Sequence, residues 1–147
     1  MKIETKFLGS VEIEEESILT FEEGIPGFEN STKFVLLPLE KESPFVILQS
    51  IQQVEVGFVV AFPFLFKKDY AFDISKSDKK AIQVKSESDI ITYSIVTLKD
   101  PFEDSTLNLL APVLINIKEK LGKQIVLNDN EKYALRHPIG ELEGSAK

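Results

Sequence analysis

The sequence contains no cysteine and no tryptophan, and it has only one methionine and one histidine. The absence of cysteine excludes disulfide bonds, thiolate catalysis and every cysteine-based metal site, and it fits a reducing compartment. The single histidine, His137, has no second histidine or cysteine to complete a zinc site. A surface histidine is therefore a better interpretation than a general base or a ligand, and we expect no resident metal and no cofactor.

Long apolar segments are also missing. The longest apolar run, from Phe58 to Phe66, is far shorter than the roughly 20 residues that a membrane-spanning helix needs. Charged residues at Glu4 and Lys6 interrupt the N-terminal segment, and no apolar core of a signal peptide follows them. We therefore expect a soluble, cytoplasmic protein that makes no contact with a membrane.

Positive charge is scarce and dispersed, because 17 Lys and Arg stand against 24 Asp and Glu. The two basic doublets, Lys67–Lys68 and Lys79–Lys80, each have an acidic residue beside them, at Asp69 and Asp78. This pattern is typical of a solvated face, and a net charge of −7 repels phosphate. We expect no direct binding of nucleic acid.

Negative charge, by contrast, is concentrated near the N-terminus. Residues 1–30 contain eight glutamates against two lysines, so this segment carries −6 of the chain's net charge of −7. Such a face suits a basic protein partner. The glutamates that stand closest together are the candidate contacts: Glu14, Glu15, Glu16, Glu22 and Glu23.

A rigid turn follows these glutamates at Gly24-Ile25-Pro26-Gly27-Phe28. Proline followed by glycine matches the two central positions of a type II turn, which requires a positive φ at Gly27. Phe28 has two interpretations that the sequence leaves open. It plugs the end of a barrel, or it is presented on a preorganised loop as a contact for a partner.

Most of the chain alternates with a period of two, which indicates β-strands. Pro63 is expected to end the pairing of its strand because it has no N–H to donate. The predicted strands are Ile3–Leu8, Val11–Ile13, Ile18–Phe21, Phe34–Leu39, Phe45–Ile51, Val54–Phe62 and Ile90–Leu98.

The segment Leu107–Leu121 is compatible with a helix or a hairpin. We favour a hairpin because Pro112 interrupts a helical pattern, the following apolar residues alternate, and Gly122 supplies a turn. One short helix is predicted at Ser77–Ile82, with Ser77 as its N-cap and Asp78 in its first turn.

Short strands in a cysteine-free domain of this length predict a mostly β fold, a small antiparallel β-barrel-like single domain with one short helix. The barrel domain is predicted to cover residues 1–137. Residues 138–147 have little to bury and are predicted to form a flexible C-terminal tail.

Two further groups of residues have an ambiguous use. Asp100, Glu103 and Asp104 could bind a hard cation or transfer protons, but a solvated loop explains all three and is the favoured interpretation. Phe62, Phe64 and Phe66 share one face if their strand continues. Packing in the core is then a more favoured use for these side chains than lining a groove for a partner.

A set of short motifs appears in a fixed order from about Ile3 to Tyr133. The motifs are Glu23-Gly24-Ile25-Pro26-Gly27-Phe28-Glu29, Leu48-Gln49-Ser50, Phe62-Pro63, Tyr93-Ser94-Ile95-Val96-Thr97, Asn108-Leu109-Leu110-Ala111-Pro112-Val113-Leu114-Ile115-Asn116 and Gly122-Lys123-Gln124-Ile125-Val126-Leu127. The segment from Asn108 to Asn116 and the Gly-Lys-Gln that follows it are the most specific. Together, in this order, the motifs resemble those of the FliW family of bacterial flagellar assembly factors.

The resemblance implies a small barrel-like fold, no enzymatic activity and two protein partners. One partner is flagellin, bound in the cytoplasm before export, and the other is CsrA, a dimeric RNA-binding repressor of flagellin translation. Flagellin that accumulates would occupy the protein and release CsrA, so that synthesis stops until flagellin is exported. We expect CsrA near the five glutamates, and flagellin at apolar residues and their neighbours: Phe28, Phe62, Phe64, Phe66, Leu109 and Asn116.

Two alternatives remain open from the sequence. The protein could be a secretion chaperone for flagellin without a regulatory partner. It could also be an enzyme that uses the carboxylates Asp100, Glu103 and Asp104, which a divalent-metal titration would support.

Overall fold

The computed structural model describes residues 1–39, 43–127 and 133–139. Among these residues, no helix has both the length and the apolar character needed to cross a bilayer. The described elements are the strands β1 (Lys2–Glu4), β2 (Ser10–Glu12), β3 (Leu19–Thr20), β4 (Lys33–Pro38), β5 (Phe45–Ser50), β6 (Gly57–Ala61), β7 (Ile90–Thr97), β8 (Thr106–Leu107), β9 (Val113–Asn116), β10 (Leu121–Gln124) and β11 (His137–Pro138), with the helix α1 (Lys76–Ala81) between β6 and β7.

Seven strands form a closed ring in the order β7-β6-β5-β4-β3-β10-β9, because β9 pairs back onto β7. Neighbouring strands in the ring are antiparallel except β3 and β10, which are parallel at Thr20 and Leu121. β8 and β11 extend the sheet beside β7, and β1 and β2 form a separate hairpin. The predicted barrel-like, mostly β fold with a short helix is confirmed, with one parallel pairing added to it.

The ring is filled on its inner face by large apolar side chains. Phe21 is fully buried there and contacts Phe34 edge-on, with ring centroids 5.1 Å apart. β10 passes beneath this ring at Gly122, where a Cβ atom would lie 2.3 Å from Phe21 Cζ. Closure of the ring therefore requires glycine at that position. The other inner residues are Leu19, Ile25, Leu48, Val56, Val60, Tyr93, Val113 and Ile115.

The outer face of the ring carries the remaining elements. α1 packs there through Ile82, which contacts Leu114 and Ile125. Beside it, apolar residues of β4 to β7 are covered by the β1–β2 hairpin and by the segment that contains Phe66 and Tyr70. Both faces of the central strands are therefore apolar, which is why these strands have more buried positions than a two-residue alternation predicts.

Several predicted strands are shorter than expected, among them the one at Ile18–Phe21, which is reduced to Leu19–Thr20. The strand predicted at Ile3–Leu8 ends at Glu4, since the Thr5 hydroxyl donates to Gly9 O and accepts from the Leu8 N–H. These bonds form the turn into β2. The strand predicted at Val54–Phe62 begins only at Gly57, and its end at Ala61, before Pro63, is as expected.

The hairpin interpretation of the C-terminal third is confirmed by the antiparallel pairing of β9 with β10. Its turn was wrongly placed at Gly122, since the chain reverses between Asn116 and Leu121, and Lys120 takes a φ of 58°. The predicted helix exists one residue earlier than expected. Ser75, not Ser77, is its N-cap, and the Ser75 Oγ accepts the N–H of Asp78.

The folded domain extends past its predicted boundary at residue 137. Pro138 belongs to β11 and pairs with Thr106. Ile139 is buried, and its N–H donates to Ser105 O at 3.0 Å. These two residues were wrongly assigned to the tail, because their apolar partners are distant in sequence. Residues 140–147 lie outside the described residues.

Successive hydrogen bonds fix the segment from Phe21 to Ser31. The N–H of Phe28 donates to Ile25 O at 2.6 Å, and the N–H of Gly24 donates to Phe21 O at 2.8 Å. Gly27 has a φ of 90°, which confirms the predicted positive φ. Ile25 is buried in the inner core, so the turn is anchored at its first residue.

We predict that Gly27→Val destabilises the protein by about 1–3 kcal/mol, because a β-branched residue is strained at positive φ. A Cβ atom at Gly27 would have nothing within 4 Å, so the effect is one of backbone conformation rather than of packing. Gly27→Asn is the matched control, since asparagine tolerates left-handed conformations and should lose less. Urea denaturation measures both. Equal stability of the two variants and the parent would contradict the backbone explanation.

Candidate functional site

The residues considered for catalysis are not assembled into a site in the part of the chain that the structure describes. His137 is half-buried, and its Nε2 lies 3.3 Å from Phe66 O. The side chains of Asp100, Glu103 and Asp104 are exposed on the loop between β7 and β8. Among the described residues, no group of three or more histidine or carboxylate side chains is placed to hold a metal ion.

The five candidate glutamates are all exposed, and they flank one short strand. Glu14, Glu15 and Glu16 precede β3, whereas Glu22 and Glu23 follow it. β3 itself is fixed in the ring by Leu19, which is buried. The barrel therefore presents two groups of negative charge at the two ends of a rigid strand, and it leaves them accessible to a large partner.

One glutamate of the second group is already paired within the protein. The ammonium of Lys123 lies 2.8 Å from Asp78 Oδ1 of α1 and 3.4 Å from Glu23 Oε2. The hydrogen bond with Asp78 raises the pKa of Lys123, and the same bond lowers the pKa of Asp78. Part of the charge of Glu23 is thus offset by Lys123, which makes Glu22 the less compensated of the two carboxylates.

An apolar cleft of about 410 Å³ opens where β6 begins and β7 ends. Phe7 borders it from the β1–β2 hairpin, and Phe28 borders it from the turn after β3. Phe28 contacts Phe58 of β6 edge-on, with ring centroids 5.2 Å apart. Leu98 lies just beyond the end of β7, and it too is exposed. The cleft therefore has aromatic walls that remain accessible to solvent.

The buried side chain of Gln49 holds both walls of this cleft. Its Oε1 accepts the N–H of Lys6 at 2.9 Å, which fixes the hairpin that carries Phe7. Its Nε2 donates to Val54 O and Val56 O, at 3.1 and 3.2 Å, in the turn that leads into β6. The amide fills the space where a side chain at Gly57 would lie, since a Cβ there would be 2.7 Å from Gln49 Oε1.

The six residues predicted to bind flagellin divide into two groups. Phe28, Phe62 and Phe64 are exposed, by 41%, 41% and 45%. Phe62 stacks on Tyr93 of the inner core, with ring centroids 5.1 Å apart, and Phe64 lies against Tyr70. These three aromatic side chains are held in place from beneath and remain open to a partner.

The other three are buried, so we remove them from the candidate surface. Phe66 enters the outer core because a 3₁₀ turn at Pro63–Leu65 replaces the strand that would have put the three phenylalanines on one face. Leu109 is fully buried, and its carbonyl accepts the hydroxyl of Tyr70. The Asn116 amide donates to Ile82 O and Gln83 O, which ties β9 to α1.

Sequence reasoning missed Phe7 and Leu98 as candidates for the cleft. Both fall inside strands predicted from the alternation, Ile3–Leu8 and Ile90–Leu98, but each lies beyond the end of the strand that the structure has there, and each is exposed. The available signal for Phe7 was its position two residues before the turn residue Gly9. Leu98 gave no such signal, because its exposure follows from the end of β7 at Thr97.

Comparison with known proteins gives a consistent result over nearly the whole chain. Residues 2–139 match the family model described as FliW protein. The chain is 45% identical to the flagellar assembly factor FliW of Bacillus subtilis strain 168 over 140 residues, covering 95% of this chain and 97% of that protein. It is 46% identical to the one from Exiguobacterium sp. strain ATCC BAA-1283 / AT1b over 147 residues, covering 100% of both chains.

The fold agrees with the same group of proteins. A crystal structure of the flagellar assembly factor FliW superimposes with a TM-score of 0.89 at 41% sequence identity. The match covers 97% of this chain and 99% of the other.

We predict that Gln49→Leu lowers the free energy of unfolding by about 2–4 kcal/mol, because it removes a buried amide that bonds the Lys6 N–H and the carbonyls of Ser50 and Val54. Gln52→Leu is the matched control. Gln52 is exposed, and its Oε1 accepts the N–H groups of Thr32 and Lys33, which water can satisfy in its place, so the same substitution there should lose only about 1 kcal/mol. Thermal and urea denaturation measure both variants. If the two variants lose equal stability, the Gln49 amide does not hold the cleft walls.

Proposed function

The chain belongs to the FliW family, and from that premise we propose that this flagellar assembly factor binds flagellin and CsrA in alternation. By holding CsrA, it would relieve the repression of flagellin translation. By holding flagellin, it would release CsrA and stop synthesis. The observation that carries the proposal is the separation, on one small barrel, of an exposed acidic group from exposed aromatic side chains.

The acidic group suits CsrA because an RNA-binding protein has a basic surface that accommodates phosphate. Glutamates at both ends of β3 can attract such a surface without any contact to bases. Negative charge held beside the RNA site of CsrA would also repel RNA. The site we propose for CsrA consists of Glu14, Glu15, Glu16, Glu22 and Glu23.

The aromatic side chains suit flagellin, whose ends offer an apolar stripe when they become helical. Phe62 and Phe64 flank the exposed Leu65 on the 3₁₀ turn, which gives a compact apolar projection at one end of β6. Phe28 provides a second exposed ring near the other end of β6. Exposed aromatics that are supported from beneath are typical anchors of protein interfaces. We propose the surface around these residues as the flagellin site.

Alternation between the two partners requires a negative coupling free energy. Coupling between two binding sites is reciprocal, so the factor by which flagellin weakens CsrA binding equals the factor by which CsrA weakens flagellin binding. The segment from Glu22 to Phe28 connects the two proposed sites directly through the chain, and its turn is fixed by hydrogen bonds. This role needs no catalytic step, and we place it in the cytoplasm, before flagellin is exported.

We predict that association with CsrA weakens clearly when ionic strength rises from about 50 to about 500 mM, because salt screens attraction between exposed charges. Glu22→Gln should slow association more than Glu23→Gln, since Lys123 already offsets part of the Glu23 charge. Glu119→Gln, which alters an exposed carboxylate on the β9–β10 turn, is the control. Surface plasmon resonance gives the rates. An affinity that is flat across the salt range would refute the electrostatic contribution.

We also predict that flagellin titrated into a preformed complex with CsrA displaces CsrA, as followed by size-exclusion chromatography. Release in proportion to bound flagellin supports the alternation. A ternary complex with unchanged affinity for both partners would refute it. A protein that binds flagellin but retains no CsrA from cytoplasmic extract would be a secretion chaperone without a regulatory partner.

A further inference from the structure

The ladder between β6 and β7 ends before either strand does. Its register pairs Ala61 with Ser94, Val60 with Ile95 and Val59 with Val96. Beyond this point β6 still pairs with β5 at Gly57, and β7 still pairs with β8 at Thr97. The two strands thus diverge while each stays attached to its other neighbour, and the apolar cleft lies between them.

Backbone groups face this gap. The N–H of Ser50 donates to Val56 O, and alternation along the ladder then directs the N–H and C=O of Gly57 away from β5 and toward β7. Continuation of the β6–β7 register would place Leu98 opposite Gly57. The N–H and C=O of Leu98 make no hydrogen bond among the residues that the structure describes, and the β6–β7 ladder does not reach Gly57. Such groups are ready to pair with another extended chain.

The two faces of the gap carry apolar walls. Phe7 belongs to the hairpin on the outer face, whereas Phe28 and Phe58 border the inner face. Side chains of an extended segment point alternately to the two faces of a sheet, so successive side chains would meet Phe7 and then the Phe28–Phe58 pair. The volume of about 410 Å³ lies within the range of roughly 300–1,000 Å³ that is usual for binding pockets.

The charges at the cleft restrict what it can hold. Its lining includes one cation, Lys6, and one anion, Glu55, so it has no net charge. A strongly basic surface would find only Glu55 to pair with there, and Lys6 would repel it, in contrast to the glutamates beside β3. The complementary occupant is a neutral apolar segment. An α-helix satisfies its own backbone groups internally, so it would leave those of Gly57 and Leu98 unpaired.

We propose that this cleft binds an extended, neutral, apolar segment of a partner protein, which enters as an additional strand between β6 and β7. Recognition combines backbone hydrogen bonds with alternate side-chain pockets, as in other cases of strand addition. The proposal goes beyond the function proposed above, since it specifies a mode of binding that does not depend on which protein supplies the segment.

The first test uses capped hexapeptides in which valine, leucine or phenylalanine alternates with threonine, added to ¹⁵N-labelled full-length protein. Strand addition predicts saturable shifts of the Gly57 and Leu98 amide signals in nuclear magnetic resonance spectra. The control peptides have the same sequences with N-methyl groups on alternate amides, which removes backbone donors. Shifts at Gly57 and Leu98 that are lost on N-methylation support the proposal. Shifts that persist, or that occur only elsewhere, overturn it.

The second test separates the backbone of Leu98 from its side chain. Leu98→Ala shortens the side chain and keeps the N–H, whereas Leu98→Pro also removes the N–H, which has no internal partner to lose. With the tightest-binding peptide, strand addition predicts at least a tenfold weaker affinity for Leu98→Pro than for Leu98→Ala. If both variants are as stable as the unaltered protein and bind the peptide with equal affinity, the proposal is overturned. If Leu98→Pro loses stability, the N-methylated peptides decide the question with the unaltered protein.

Discussion

The buried side-chain amide of Gln49 connects three segments on which the candidate surfaces depend. It binds the backbone of the β1–β2 hairpin, the turn before β6 and the adjacent Ser50 carbonyl. A buried amide must have its groups satisfied, so each segment is constrained to one position relative to the others. Phe7 and Phe58 both border the cleft because of this constraint, and Gly57 has no side chain because the amide occupies the space.

The motifs that identify the family have mainly structural functions in this chain. Asn108 Oδ1 accepts the N–H groups of Leu110 and Ala111, and Asn116 holds both α1 and the β9–β10 turn. Gly122 allows β10 to pass beneath Phe21. These residues explain why the ordered motifs indicate the fold so well. They also explain why motif membership is a poor guide to the partner surface, since Leu109 and Asn116 are buried.

Sequence patterns predicted the structural features that depend on residues close together in the chain. The strands predicted at Phe45–Ile51 and Ile90–Leu98 extend one residue past the ends of β5 and β7, and the strand predicted at Phe34–Leu39 is displaced by one residue from β4. The positive φ of Gly27 follows from the order Pro-Gly. Contacts between distant segments could not be predicted in this way. The burial of Phe66, the parallel β3–β10 pair and the splitting of β6 from β7 all depend on which strands become neighbours, and alternation within one strand carries no information about that.

We propose that one small barrel binds two different partner proteins through two separate surfaces. Hydrogen–deuterium exchange of the full chain, measured separately with CsrA and with flagellin, tests it most directly. CsrA should slow exchange between Glu14 and Glu23 and leave the 3₁₀ turn at Pro63–Leu65 unaffected. Flagellin should slow exchange at that turn and around Phe28. Protection of the same segment by both proteins, or by neither, would contradict the claim.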